Sequence, residues 1–235
     1  METIRVRKLN HANFELTCDS GTAQELNEFF SFYVPGYKFM PAYRNRMWDG
    51  KIRLFTLRDR TLPAGLFYHL SEFCEKRGYI LESERTKYGS PDDRNHITPN
   101  DLELFISGLN LPFDLRTYQF GCVGEALTRK RAILLSPTGS GKSLIIYAIA
   151  RYWLARLTDG LSYPKKGRVL VIVPTTSLVE QMHSDFLKYG WDEGAMHRIY
   201  SGKDKVIENA ACVITTWQSV YKLPKQWFEQ FVAVF

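Results

Sequence analysis

A short glycine-containing loop, Ser136-Pro137-Thr138-Gly139-Ser140-Gly141-Lys142-Ser143, separates an apolar run from a longer amphipathic one. The apolar run, residues 132–135, predicts a strand, and residues 142–157 predict a helix. This context is typical of a phosphate-binding loop, because its N–H groups converge on a phosphate oxygen at the positive end of the helix. The loop therefore indicates an α/β fold for this half of the chain and a nucleoside triphosphate site within it.

The residue types of the loop suggest individual roles. Lys142 is expected to reach the β and γ phosphates, and the Ser143 hydroxyl to hold Mg²⁺, so these two are the candidate catalytic residues. Gly139 and Gly141 permit the bend because they carry no Cβ. The residues expected to line the nucleotide are Pro137, Thr138, Gly139, Ser140, Gly141, Lys142 and Ser143. Ser136 stands where the general pattern has its first glycine.

Composition limits the class of protein without deciding it. The 235 residues carry a formal net charge of +6 and are 45% apolar, which is ordinary for a globular protein with a mild preference for polyanions. The four cysteines show no metal-ligand spacing and predict reduced thiols. With no visible signal peptide and no apolar run of membrane-spanning length, we expect a cytoplasmic protein, in the host cytoplasm if phage-encoded.

The chain divides at a polar, turn-rich segment, residues 88–95. Residues 1–87 predict a small α+β domain, with a hairpin over 3–18, helices over 22–32 and 66–78, and a closing strand over 79–84. In that domain Asp49-Gly50 predicts a second, tight hairpin. Residues 88–111 predict a linker and a short helix that begins at Thr98, with Pro99 and Asp101 in its first turn.

The remainder, residues 112–235, predicts a RecA-like parallel sheet. Near-continuous apolar runs alternate there with helical periodicity, which is typical of strands covered on both faces. The phosphate-binding loop is expected at the carboxyl end of the first strand, where open α/β sheets bind ligands. The predicted strands are 132–135, 169–173, 212–215 and 231–235, and the predicted helices are 115–128, 142–157 and 176–189.

Three further segments accompany the loop in a fixed order: Leu115-Arg116-Thr117-Tyr118-Gln119 before it, then Pro174-Thr175-Thr176, then Thr215-Thr216-Trp217-Gln218. Together the four segments resemble the first-lobe motifs of superfamily-two helicases and translocases, a family in which the Ser136 variant of the loop also fits.

The resemblance implies that Gln119 reads adenine through an amide that donates and accepts. Arg116 either supports that pocket or is a surface charge. Pro174, Thr175, Thr176, Thr216 and Gln218 are implied to contact a nucleic-acid backbone, although the two threonines at 175 and 176 also suit a helix cap. A half-buried core position is favoured for Trp217 over base stacking. Ser201-Gly202-Lys203 stands where the family often has another strand-contacting loop.

The N-terminal domain has a basic stretch rich in aromatic residues. Residues 35–60 contain seven Lys or Arg and two Asp, a local net charge of +5. This stretch resembles the accessory domain of a family of recombination helicases of tailed phages, which implies DNA contacts. Aromatic side chains inside a hairpin with solvated charges outside are the alternative interpretation. The predicted nucleic-acid contacts are Lys38, Arg44, Arg46, Lys51 and Arg53.

The resemblance implies an ATP- and Mg²⁺-dependent DNA helicase acting on duplex DNA, branched DNA or RNA–DNA hybrids. The family's acidic Asp-Glu-x-His motif and its second lobe do not occur in the 235 residues, so we expect little hydrolysis from them alone. Two alternatives stay open. One is a P-loop ATPase that does not act on nucleic acid, and the other is a non-catalytic DNA-binding module.

Overall fold

The structure, a computed structural model, describes residues 2–158, 167–200, 206–207 and 209–235. These residues form two compact units, Met1–Arg94 and Asn95–Phe235. Within the described residues, no helix is long and apolar enough to cross a membrane.

The first unit contains a four-stranded mixed sheet in the order β5-β2-β1-β6. Strands β1 and β2 form the predicted antiparallel hairpin, and β6 runs parallel to β1. Alternate residues of the hairpin, Ile4, Val6, Phe14 and Leu16, point into the core, as the two-residue period of a strand requires. The elements are β1 (Thr3–Lys8), β2 (Asn13–Thr17), α1 (Ser20–Phe29), β3 (Ser31–Tyr33), α2 (Pro41–Arg44), β4 (Lys51–Arg53), β5 (Thr61–Pro63), α3 (Phe67–Arg77) and β6 (Ile80–Glu84).

Two predictions for this unit are wrong in detail. Helix α1 begins at Ser20 and not at Thr22, because the Asp19 carboxylate caps it by accepting from the backbone N–H groups of Gly21 and Thr22. Asp49-Gly50 is not a tight hairpin turn. The pair stands at the end of a long connection, residues 34–50, because β4 pairs with β3 and not with the residues just before β4.

The second unit contains a four-stranded parallel sheet in the order β10-β7-β9-β8, which confirms the predicted α/β class. Its inner strands are mostly buried and largely apolar, as expected when helices cover both faces. The elements are α4 (Pro99–Gly108), α5 (Thr117–Arg129), α6 (Lys142–Thr158), β7 (Arg168–Val173), α7 (Thr176–Lys188), β8 (Met196–Ile199), β9 (Cys212–Thr216), α8 (Trp217–Val220), α9 (Lys225–Phe228) and β10 (Phe231–Val234).

Helix α4 begins as predicted. The Thr98 hydroxyl accepts from the Asp101 N–H at 3.1 Å, and the Asp101 carboxylate accepts from the Thr98 N–H at 3.2 Å. Leu102, one turn later, is buried in a cluster with Val123 and Ile149, so this helix belongs to the core of the second unit.

The strand predicted over residues 132–135 is wrong. These residues have no regular secondary structure, and Ile133 and Leu135 are 90% and 94% exposed. A strand is stabilised only through a hydrogen-bonded neighbour, and none of the described strands pairs with this segment. The predicted placement of the loop at the carboxyl end of that strand is therefore wrong as well.

Candidate functional site: a nucleotide loop and a strand-end surface

The lysine of the phosphate-binding loop is hydrogen-bonded to the backbone of the loop itself. Lys142 Nζ donates to the carbonyl oxygens of Ser136, at 2.9 Å, and Pro137, at 2.7 Å. The Ser136 and Ser140 hydroxyls also bond to each other across the loop. Gly139 and Gly141 both have positive φ, +80° and +75°, which confirms that the bend needs residues without a Cβ. Two of the three ammonium protons are thus held by the loop itself.

Gln119 ties the start of α5 to this loop, and it is buried. Its Nε2 donates to the Ser140 carbonyl at 2.9 Å, and its Oε1 accepts from the Arg116 N–H at 2.9 Å. The Tyr118 hydroxyl donates to the same Ser140 carbonyl at 2.7 Å. A primary amide has two N–H donors and two lone pairs, so one of each remains for a ligand. Sequence reasoning missed Tyr118, whose only signal was its place beside Gln119.

Ser143 bonds to a tyrosine that the sequence did not single out. Its hydroxyl lies 2.9 Å from the Tyr189 hydroxyl, at the C-terminal end of α7. Helix α7 has 13 residues and is therefore about 20 Å long. Ser143 therefore lies near the C-terminal end of α7, whereas Thr176 is at the N-terminal end of that helix. The structure does not bring the loop next to the predicted strand-contacting residues.

Those strand-contacting residues do lie together. Strands β7 and β9 are parallel neighbours, with Val173 opposite Thr216, so the segments 174–176 and 216–218 leave the same edge of the sheet. Pro174, Thr175, Thr176 and Gln218 are exposed, and the Thr175 hydroxyl also caps α7 through the Leu178 N–H at 3.4 Å. Thr216 is buried and its hydroxyl bonds Ser219 at 2.9 Å. Four of the five predicted residues therefore form an accessible surface.

The expectation that Trp217 is half-buried in the core is wrong. Trp217 is 53% exposed, and its ring contacts that of Tyr221, which is 57% exposed, at a centroid distance of 5.4 Å. It is the first residue of α8, directly after the buried end of β9, so the helix turns its side chain outward.

A polar network supports the middle of α7. Glu180 accepts from the Tyr200 hydroxyl at 2.6 Å and from Arg198 at 2.5 Å, and these hydrogen bonds lower the pKa of its carboxyl group. Burial and the neighbouring Arg198 charge lower the pKa of His183, one turn along the same helix.

The basic stretch of the first unit surrounds a cleft of about 590 Å³ whose lining includes Lys38, Arg44, Arg46, Met47 and Trp48. Lys51 Nζ lies 5.0 Å from the centroid of the Tyr33 ring, a cation–π contact. Arg53 does not stand free, because both of its terminal nitrogens bond the Asp49 carboxylate and lower the Asp49 pKa to about 2.

The remaining predictions concern metals and one loop. No cluster of potential metal-ligating side chains occurs in the described ranges, and the four cysteines are free thiols. Ser201-Gly202-Lys203 lies outside the described residues.

The arrangement defines a class of protein. A phosphate-binding loop bonded to a preceding glutamine, in a unit whose parallel strands end in two exposed polar segments, is the first lobe of a superfamily-two helicase. The family described as "Type III restriction enzyme, res subunit" matches residues 112–233, and the family "DNA helicase UvsW, N-terminal" matches residues 3–83. The chain belongs to the UvsW family of superfamily-two helicases.

Individual relatives agree with both matches. The chain is 36% identical over 237 aligned residues to the ATP-dependent DNA helicase uvsW of Enterobacteria phage T4, covering 97% of this chain and 45% of that protein. It is 30% identical over 187 residues to the human antiviral innate immune response receptor RIG-I, covering 68% of this chain and 20% of the receptor. The chain therefore spans about half the length, or less, of the curated relatives it matches.

Two solved structures are similar over almost the whole chain. A crystal structure of the UvsW helicase from bacteriophage T4 superposes with a TM-score of 0.81 and 34% identity, covering 99% of this chain and 81% of that one. A second T4 UvsW crystal structure gives a TM-score of 0.83 at the same identity, covering 99% and 46%. These matches confirm the predicted fold and family.

Proposed function

We propose that this chain is the nucleotide- and DNA-binding part of an ATP-dependent DNA helicase that acts on branched DNA or RNA–DNA hybrids in recombination, repair and replication-fork rescue. In this proposal residues 1–87 are an accessory DNA-binding domain, 88–111 a connection, and 112–235 the ATP-binding lobe. The site of action is the cytoplasm, in an infected cell if the source is a phage. The similarity to the phage T4 protein named as an ATP-dependent DNA helicase supports the proposal.

The observation that carries the proposal is the Gln119 amide bonded to the phosphate-binding loop. A generic phosphate-binding loop does not need a glutamine 21 residues upstream at its Ser140 carbonyl. The amide's remaining donor and acceptor match the N7 acceptor and N6 donor of adenine. We therefore assign Gln119 to adenine recognition, with Arg116 beside it, and the loop residues Pro137 to Ser143 to the phosphates.

Nucleotide binding requires the loop to open. Lys142 must exchange its bonds to the Ser136 and Pro137 carbonyls for phosphate oxygens, and Ser143 must exchange Tyr189 for Mg²⁺. Lys142 exchanges two neutral carbonyl acceptors for anionic phosphate oxygens, and Ser143 exchanges a neutral hydrogen bond for coordination to a divalent cation, so binding remains favourable. Hydrolysis in the whole protein would rely on the same two residues to position and neutralise the β and γ phosphates.

DNA is proposed to bind at two surfaces, each described within its own unit. Thr175, Thr176 and Gln218 offer N–H and hydroxyl donors at one sheet edge, which suits sequence-independent phosphate contacts. Pro174 lies beside them and contributes surface rather than a donor, and the buried Thr216 holds the end of β9 in place. Lys38, Arg44, Arg46 and Lys51 supply positive charge in the first unit, while Arg53 acts through Asp49.

Titration of a fluorescent ATP analogue with Mg²⁺ into the wild type and Lys142→Ala tests the nucleotide site. We expect the variant to lose at least about tenfold in affinity, because removing one partner of a charge-assisted bond costs roughly 1.5–3 kcal/mol. Arg129→Ala, a surface cation on α5, is the matched control and should bind like the wild type. Equal affinities in Lys142→Ala and the wild type would refute the assignment.

DNA binding is measured separately, by fluorescence anisotropy at two salt concentrations. Arg44→Ala with Arg46→Ala should weaken binding and reduce its salt dependence, because counterion release scales with phosphate contacts. A chain that binds ATP but no DNA would favour the P-loop ATPase alternative. Full DNA affinity together with no nucleotide binding would favour the DNA-binding module.

A further inference from the structure

The cleft in the first unit is an open depression of about 590 Å³, which is large enough to receive one flat ring system. Its lining combines the cations Lys38, Arg44 and Arg46 with the carboxylate of Asp49, and its apolar and aromatic members are Tyr43, Met47 and Trp48. Such a lining suits a ligand that carries both an anionic group and a flat apolar ring.

The aromatic wall is held rigidly by its neighbours. The Trp48 indole donates its Nε1 proton to the Lys51 carbonyl at 2.8 Å, which fixes the plane of the ring. Tyr43, which also lines the cleft, meets the Tyr37 ring edge-on at 4.8 Å, and Tyr37 in turn stacks on Tyr33 at 4.7 Å. A ring that is already fixed loses little conformational entropy when it stacks on a ligand.

The charges of the cleft are available to an anion. Within the described residues, Arg44 and Arg46 have no ion-pair partner, and Lys38 has only a contact at 5.9 Å from the Tyr37 ring centroid. The one carboxylate in the lining, Asp49, is neutralised by its bonds to Arg53. Met47 is 79% exposed, which leaves an apolar surface open at the rim.

We propose that this cleft binds one unpaired nucleotide of a DNA strand, with the base against Trp48 and Met47 and the flanking phosphates on Lys38, Arg44 and Arg46. The proposal rests on the proposed DNA-binding function and specifies its substrate class: DNA with an unpaired or extruded base. A smooth duplex presents a convex backbone and keeps its bases stacked, so it does not fill a concave site of this kind. The local net charge of +5 over residues 35–60 favours a nucleotide within a strand over a free one.

The test compares three short duplexes of one sequence, measured with the full 235-residue chain by anisotropy. One has a single adenine bulge, one has an abasic bulge with the same phosphates, and one has no bulge. The wild type should prefer the adenine bulge to the abasic one by about 5- to 100-fold, the range for stacking one base on an aromatic side chain. A 2-aminopurine placed in the bulge should be quenched on binding.

Substitutions test whether the preference for the adenine bulge arises in the cleft. Trp48→Ala should bind the adenine and abasic bulges equally, while Trp48→Phe, which keeps a ring, should retain most of the preference. Met47→Ala changes an exposed residue, so it should fold and still lose part of the preference. Leu57→Ala, which removes another exposed apolar side chain of the first unit (41% exposed) that does not line the cleft, should match the wild type.

The outcomes separate this proposal from the one it rests on. Equal binding of all three duplexes by the wild type would overturn the nucleotide cleft and leave DNA binding intact. Failure to bind any of them would overturn both. A base preference that survives unchanged in both Trp48→Ala and Met47→Ala would place the base elsewhere and would also overturn the cleft.

Discussion

The two glycines of the phosphate-binding loop allow the Gln119 contact to be measured. Gly139 and Gly141 have nearly the same φ, +80° and +75°, so alanine at either position adopts a left-handed conformation that costs about 1–2 kcal/mol. Their surroundings differ. No atom lies within 4 Å of a Cβ placed on Gly139, whereas a Cβ on Gly141 overlaps Gln119 Nε2. Only Gly141→Ala should therefore expel the glutamine.

The expected difference follows from the bonds that are lost. Ser140 keeps its bond from Tyr118, so the additional cost comes from the buried Gln119 amide, which loses its partner. An unsatisfied buried amide costs about 1–3 kcal/mol. Gly139→Ala should thus lower the free energy of unfolding by about 1–2 kcal/mol and Gly141→Ala by about 2–5 kcal/mol.

Urea unfolding followed by tryptophan fluorescence measures the difference. Four of the five tryptophans belong to the second unit, so the signal reports mainly on the unit that contains the loop. In a Gln119→Ala background the extra cost of Gly141→Ala should disappear, which closes a double-mutant cycle. If Gly139→Ala and Gly141→Ala are equally destabilising in the chain that retains Gln119, the close approach of Gly141 and Gln119 is refuted.

Three further predictions concern stability and the loop. Gly50→Ala should destabilise the first unit by about 2–4 kcal/mol in thermal unfolding, because its Cβ at φ +83° overlaps the Tyr37 ring. Tyr189→Phe should raise the affinity for the Mg²⁺ complex of ATP by about 2- to 10-fold in titrations, because the Ser143 hydroxyl no longer has a bond to break. Since burial lowers the folded pKa of His183 below its unfolded value near 6.5, the unfolding free energy should fall as the pH drops below about 6.5, and His183→Gln should flatten that slope.

Matched variants control these experiments. Gly36→Ala has the same left-handed strain, at φ +73°, with nothing within 4 Å, so it should cost clearly less than Gly50→Ala. A Tyr189→Phe variant that binds the nucleotide more weakly would show that Tyr189 supports the site rather than competing for Ser143.

Features with local causes were predicted well from the sequence. The Thr98 capping box depends on two side chains three residues apart, and Gly78 ends α3 because it adopts a left-handed conformation. The buried strand β7 is a continuous apolar run, which leaves few alternatives. In each case the information lies within a few residues of the element it determines.

Features that depend on a distant partner were not predicted. Strand β8 contains His197 and Arg198 and shows no apolar run, yet it pairs with β9 at the edge of the sheet. Residues 132–135 show the opposite case, an apolar run with no paired neighbour. The Asp49-Gly50 pair has hairpin composition, but the partner of β4 is β3, many residues earlier. Local composition gives a propensity, and pairing decides whether it is realised.

The same distinction applies to the site. Sequence pattern singled out Gln119, Lys142 and Ser143 as candidate site residues, but it gave no sign that each would have a partner inside the protein. The hydrogen bonds to these three partners have different consequences for ligand binding. In the proposed nucleotide site, the bonds of Lys142 and Ser143 would have to break for phosphate and Mg²⁺ to bind, whereas Gln119 retains a free donor and acceptor and would need no exchange. Adenine recognition can therefore precede phosphate capture, and a nucleoside without phosphates should bind wild type and Lys142→Ala equally well. A loss of adenosine affinity in Lys142→Ala would show instead that the loop must open before Gln119 can act.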